Sequence, residues 1–289
     1  MTRPHLKVDR MTTSRFAASA FSVSFTPSFW GRALLALGLA ALLAGCVGGP
    51  TREQRESRAN ASQNELERRA RVRLELAAAY FGRGQNATAL DEVKLALTTD
   101  PNLGEAYNLR GLIYASMDEA ALAEQSFKQA LQLNARDADA MHNFGWFLCQ
   151  QRRFAESEVQ FKAALALPTY RESLRTMMAQ GVCQARAGRL DLAERTLGQA
   201  YELDPANPAV AVNLSEVLYK RGDYERARFY IRRVNAQDNL ANAQTLWLAL
   251  RIENRLGQTA QVQALGDQIR QRWADSPEAK LLAKGRIDE

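Results

Sequence analysis

Apolar and polar positions follow three regimes along the 289-residue chain. An apolar run, ALLALGLAALLA, fills residues 33–44, and a polar stretch, VGGPTREQRESRANASQN, fills 47–64 with almost no large apolar side chain. From residue 65 onward apolar residues return every three or four positions, the period of amphipathic helices. A longer period is laid over the short one. Small residues at Ala77, Gly111, Gly145, Gly181, Ser215 and Ala249 are separated by 34, 34, 36, 34 and 34 positions. Ala96, Ala130, Ala164 and Ala200 each follow the first four by 19, and Ala89, Ala123, Ala193 and Ala227 mark another recurring place. Gly84, Gly188 and Gly222 divide their units into two helical halves, and Pro101 and Pro205 end units one and four. This pattern predicts stacked helix pairs: small residues let paired helices approach, larger ones fill the space between, and proline stops the second helix.

Unit two carries Tyr107, Gly111, Tyr114, Ala123, Phe127 and Ala130, and unit three carries Phe144, Gly145, Phe161 and Ala164. These places resemble the tetratricopeptide repeat. The resemblance implies an all-α chain, a right-handed superhelical solenoid of about six helix-turn-helix repeats at 70–103, 104–137, 138–171, 174–207, 208–241 and 242–275. Ser276, Pro277 and Glu278 read as a helix start, so a capping helix is expected at 277–284 to cover the end of the stack. Some places depart from the pattern. Arg110 stands for a leucine, Ser157 for an alanine, Gly257 falls one place late and Gln268 replaces an alanine. The two extra residues near Pro168, Thr169 and Tyr170 predict a longer loop between units three and four.

The run at 33–44 is too short to span a bilayer, which takes about 20 apolar residues. Arg3, Lys7, Arg10, Arg15 and Arg32 precede it against Asp9 alone, the charge pattern of a bacterial signal peptide, whether the start is Met1 or Met11. Leu43, Ala44, Gly45 and Cys46 resemble the lipobox of bacterial lipoproteins; a plain secreted chain with a chance cysteine is the alternative. The lipobox implies removal of residues 1–45 and a diacylglycerol and N-acyl lipid on Cys46. Several acyl chains anchor a protein without spanning the membrane. Val47 in place of the retention aspartate implies the inner leaflet of the outer membrane, facing the periplasm. Residues 46–64 are expected to be a flexible tether, because they cannot bury a core; a coil of that length reaches roughly 25 Å. The whole chain is +6, from 38 basic and 32 acidic residues, but 1–45 holds 5 and 1, leaving 33 minus 31, or +2. The high pI therefore gives little support for a nucleic-acid partner.

Candidate chemistry is sparse. His142 is the one histidine after the signal segment, and neither a phosphate-cradling GxxxxGK[ST] loop nor a GxSxG elbow occurs. No catalytic residue, metal site, small-molecule substrate or cofactor beyond the lipid is expected. Cys149 and Cys183 fall at places 12 and 10 of successive first helices and read as small inert residues on packed helices, with a disulfide in an oxidising periplasm as the alternative. In tetratricopeptide proteins places 2, 5, 9, 12 and 13 of each first helix line a concave face. The resemblance thus implies a partner-binding groove made by Leu74, Phe81, Asn108, Leu112, His142, Trp146, Arg175, Met178, Val182, Val212, Tyr219, Leu246 and Leu250, with Cys149 in the same row. The row is largely apolar. It is either core within a tight superhelix or an exposed stripe for an apolar or amphipathic segment, with Trp146 as anchor.

Lipobox, short tether and six repeats together resemble the type IV pilus biogenesis and stability lipoproteins, the PilF/PilW pilotin family. That resemblance implies binding of pilus secretin subunits, their localisation and multimerisation in the outer membrane, and a non-catalytic part in pilus biogenesis and twitching motility. Two other lipoprotein classes built on the same repeat are alternatives: an accessory component of outer-membrane β-barrel assembly and an adaptor for murein hydrolases.

Overall fold

The computed structural model describes residues 51–287. The signal segment and Cys46 lie outside the described residues. The chain divides into two units, one up to Ala61 and one from Ser62 onward, and each is taken by itself.

Among the described residues there are thirteen helices and no strands. Helix α1 (Arg52–Gly82) supplies the first half of unit one and α2 (Asn86–Thr99) the second. The pairs α3 (Gly104–Ser116) with α4 (Ala120–Leu133), α5 (Ala138–Gln150) with α6 (Phe154–Leu165), and α7 (Ser173–Arg186) with α8 (Leu190–Leu203) follow. The pairs α9 (Pro208–Arg221) with α10 (Tyr224–Asn235) and α11 (Ala243–Arg255) with α12 (Thr259–Arg272) complete six, and α13 (Pro277–Ala283) closes the stack.

The flexible tether expected up to residue 64 needs correction, because α1 begins at Arg52. Residues 51–64 are all exposed, so no packing holds them. The segment is nevertheless rich in helix formers, and Arg52 Nε lies 2.8 Å from Glu56 one turn on. Lack of apolar side chains removes the core without removing helix propensity.

Short-range chemistry sets the helix ends. Asp100, Asn134 and Asp204 each accept from the backbone N–H two residues later, at 3.0, 3.0 and 3.1 Å, making the same turn after units one, two and four. Unit three has Pro168 at that place, and residues 166–172 take a longer path before α7. Asn207 caps α9 ahead of Pro208, Asn242 and Thr245 form a capping box on α11, and the Ser276 hydroxyl accepts from Ala279 N–H at 3.1 Å to open α13. The intra-unit turns need a left-handed residue: Gly84, Gly188 and Gly222 supply it at φ 73°, 76° and 82°, and Asp118 and Arg152 hold the same place in units two and three.

The helices of each pair close on the small residues. A methyl on Gly111 would lie 2.7 Å from the Phe127 ring, and one on Gly181 would lie 2.5 Å from Leu197 Cγ. Both partners are fully buried. Serine substitutes for a small residue by satisfying its hydroxyl across the same contact. Ser157 Oγ donates to Gly145 O at 2.7 Å in unit three, and Ser215 Oγ donates to Ala227 O at 2.8 Å in unit five. Arg110 lies over the Tyr107 ring and donates to Ser126 Oγ at 3.0 Å.

Units three and four are fastened at the point where the repeat register breaks. Cys149 and Cys183, expected to be an inert pair, are joined by a disulfide with Cα atoms 5.8 Å apart. The physical reason lies in the flanks of neighbouring first helices. His142 and Cys149 are two turns apart on α5, as are Thr176 and Cys183 on α7, and His142 Nδ1 lies 2.8 Å from Thr176 Oγ1. Both cross-links run along one line between the two helices. Tyr170, from the longer loop, adds its hydroxyl to Thr176 Oγ1 at 2.7 Å.

Candidate functional site: the concave groove

In units two to six the second helix touches its own first helix, α2, α4, α6, α8 and α10 touch the first helix of the next unit, and α3, α5, α7, α9 and α11 touch one another in sequence. The first helices therefore form the continuous inner layer. That arrangement is where a groove between units can arise.

The anticipated groove residues divide into two groups. Leu246 and Leu250 are buried, 2 % and 0 % exposed, in a cluster with Trp247, Ile269 and Ala279 on which Trp273, Leu281 and Leu282 pack. Helix α13 and its flanks cover this end, so these two leucines are core and not groove. His142 is buried in its bond to Thr176, and Tyr219 is buried beneath the Arg251 guanidinium, 4.6 Å from the ring centre. Cys149 is in the disulfide. Here the apolar row is interhelical packing.

The remaining places face outward in part. Leu74 and Phe81 are half-buried against the unit-one core, and Leu112 against the Phe127, Phe144 and Phe147 cluster. Asn108 Oδ1 accepts from Asn143 Nδ2 at 3.1 Å, linking units two and three. Trp146 is half-buried beside Cys149, Phe161 and Cys183, with Arg186 stacked 5.0 Å from its ring centre. Arg175 is exposed and paired with Asp139 at 3.0 Å. Met178, Val182 and Val212 are half-buried on α7 and α9.

A cleft of about 650 Å³ lies between α9, α11 and the connection 236–242. Val212 and Asn213 face Trp247, Leu248 and Arg251 across it, with Glu216 and Gln244 at its sides. A smaller cleft of about 210 Å³ between α7 and α9 holds Val182, Arg186 and Lys220 and shares Asn213 and Glu216. Of these residues only Val182 and Val212 are in the row anticipated above. The five-place frame omitted the residues that face the preceding unit, such as Arg251, although a tyrosine at place 12 followed by an arginine in the next first helix is legible in the chain.

Electrostatics along the stack are mostly paired. Arg153 reaches back to Glu124 of unit two at 2.6 Å and to Glu156. Hydrogen bonds from Arg153 and then Lys128 hold the Glu124 carboxyl down to about 2. Burial, with the Arg175 charge next in effect, holds His142 down to about 4 and therefore neutral at pH 7. Among the described residues no group of histidine, cysteine and carboxylate side chains is placed to hold a metal, and no helix is long and apolar enough to cross a membrane.

Comparison with known proteins matches this geometry to a family. Models of the tetratricopeptide repeat match residues 104–137, 142–208 and 184–249. The chain is 28% identical over 221 residues to the type IV pilus assembly protein PilF of Pseudomonas aeruginosa, covering 76% of this chain and 85% of that protein. The crystal structure of PilW, described as a widely conserved type IV pilus biogenesis factor, is similar with a TM-score of 0.70 and 27% identity over 74% of this chain and 98% of that one. The solved structure of Pseudomonas aeruginosa PilF shares the fold at a TM-score of 0.66 and 24% identity, over 77% and 99%. The chain is a tetratricopeptide-repeat protein homologous to the PilF and PilW type IV pilus biogenesis proteins.

Proposed function

We propose that this chain is an outer-membrane lipoprotein scaffold of type IV pilus biogenesis, a pilotin. Its groove binds subunits of the pilus secretin, and the acylated Cys46 carries the complex to the inner leaflet of the outer membrane, where the secretin multimerises. The observation that carries the pilus role is the likeness to PilF along 76% of the chain, joined by the PilW fold over nearly all of that protein. Three features support the finer reading. The helix pairs form a continuous inner layer with a groove suited to polypeptide. The LAGC sequence at 43–46 follows an apolar run at lipobox distance. The Cys149–Cys183 disulfide fits an oxidising compartment such as the periplasm. The contribution is binding and placement, with no catalytic step.

Membrane fractionation tests it. In cells carrying Cys46→Ala, the chain leaves the outer-membrane fraction and the secretin accumulates in the inner-membrane fraction. Secretin that stays wholly in the outer membrane when Cys46 is replaced would contradict delivery by this chain.

A further inference from the structure

We propose that the groove over units four to six takes an acidic, aliphatic polypeptide segment, with carboxylates on Arg186 and Arg251 and an aliphatic side chain between Val212 and Trp247. The proposal rests on the reading that the inner layer binds protein, and it names the chemistry of the partner.

The two clefts share Asn213 and Glu216, so they are parts of one groove crossing α7, α9 and α11. Its lining holds three bases, Arg186, Lys220 and Arg251, against one acid, Glu216. That acid is already neutralised by Lys220 at 2.7 Å. The two arginines differ from their neighbours. Arg175, Arg221, Arg226, Arg228 and Arg232 are each paired with a carboxylate. Arg186 and Arg251, among the described residues, have no acidic partner and are held instead by the Trp146 and Tyr219 rings of the preceding unit. A ring fixes the guanidinium plane without using its N–H groups, which leaves the fork free for an acceptor from outside. The Arg251 Nε is enclosed without a hydrogen-bond partner, and the half-buried side chain lines the larger cleft. Each cleft also carries apolar surface, Val182 in the smaller and Val212, Trp247 and Leu248 in the larger, with Asn213 and the Lys220-paired Glu216 where the two meet. Alternating charge and aliphatic surface of this kind matches a segment with carboxylates spaced by apolar residues, because guanidinium binds carboxylate in a bidentate way and the apolar floor excludes water.

The test uses the purified full chain and short fluorescein-labelled peptides of alternating aspartate and leucine, lysine and leucine, or aspartate and serine, read by fluorescence anisotropy. The aspartate–leucine peptide is expected to bind, and the other two to bind at least about 10-fold more weakly. Arg186→Gln and Arg251→Gln each weaken it by about 10-fold. Gln244→Glu, at an exposed position on the rim, weakens it by repulsion without removing a packed side chain, which keeps the test sound if Arg251→Gln disturbs folding. Equal binding of the lysine–leucine peptide, or unchanged affinity in Gln244→Glu and Arg186→Gln, overturns the proposal. So does capture of phosphatidylglycerol vesicles with no peptide binding. Antibody detection of secretin on the immobilised chain separates the two levels. Secretin held equally by wild type and the Arg186→Gln/Arg251→Gln double variant sinks the acidic groove and leaves the pilotin reading, whereas secretin absent from wild type while the peptide still binds sinks the pilotin reading alone.

Discussion

His142 shows how one buried side chain ties two units together and what that costs in acid. Its Nδ1 bond to Thr176 joins α5 to α7, and burial with the nearby Arg175 charge lowers its pKa from 6.5 to about 4. A base with a depressed folded pKa stays neutral in the native state while the unfolded chain takes up a proton. Stability is therefore full above pH 6.5 and falls as pH drops from 6.5 toward 4. From pH 7 to pH 5 the loss is about 2 kcal/mol. Glu124 acts in a separate window: its carboxyl, held at about 2, contributes above the ordinary carboxylate range and is lost only below it. Urea midpoints at pH 7 and pH 5 isolate the histidine. The wild type is expected to lose stability between them and His142→Gln to lose much less; parallel losses would remove His142 as the source.

At the scale of elements the covered end of the stack is α13. Trp273, Leu281 and Leu282 pack on the cluster of Leu246, Trp247, Leu250 and Ile269, which would otherwise face water. Truncation before Pro277 is expected to lower stability by about 2–4 kcal/mol and to raise binding of a hydrophobic dye. An unchanged melting curve would show that the cap contributes nothing. The six pairs and this cap were legible because close approach demands small residues at fixed places, and Gly111, Gly145 and Gly181 mark them without help from distant parts of the chain. What was not legible depended on flanks and connections. The turns at Asp118 and Arg152 adopt the left-handed place without glycine. Cys149 and Cys183 meet because places 12 and 10 lie on facing flanks once the register shifts by two. The cleft between α9 and α11 is bounded by Asn239, Leu240 and Asn242, on a connection whose path no periodicity describes. The helix at 52–64 was hidden for a different reason, since a surface without apolar residues gives no period to read.

At the scale of the whole molecule, six helix pairs present one inner layer whose middle junction carries a disulfide closing a 34-residue separation. Such a closure removes unfolded-state entropy worth about 4 kcal/mol in the chain-entropy view. A stack secured in this way suits a protein that offers a preformed groove, since a binding surface that need not be ordered on contact loses less affinity to entropy. The likeness to PilF covers 76% of this chain and that to PilW 74%. On the proposed reading, this stack of repeats brings the pilus secretin to its assembled state in the outer membrane. An unboiled gel of outer-membrane fractions, probed for the heat-resistant secretin multimer in wild type, a deletion strain and a Cys46→Ala strain, tests it most directly. Multimers should be lost on deletion and reduced or displaced with Cys46→Ala; multimers of unchanged amount and location in all three strains would contradict the claim.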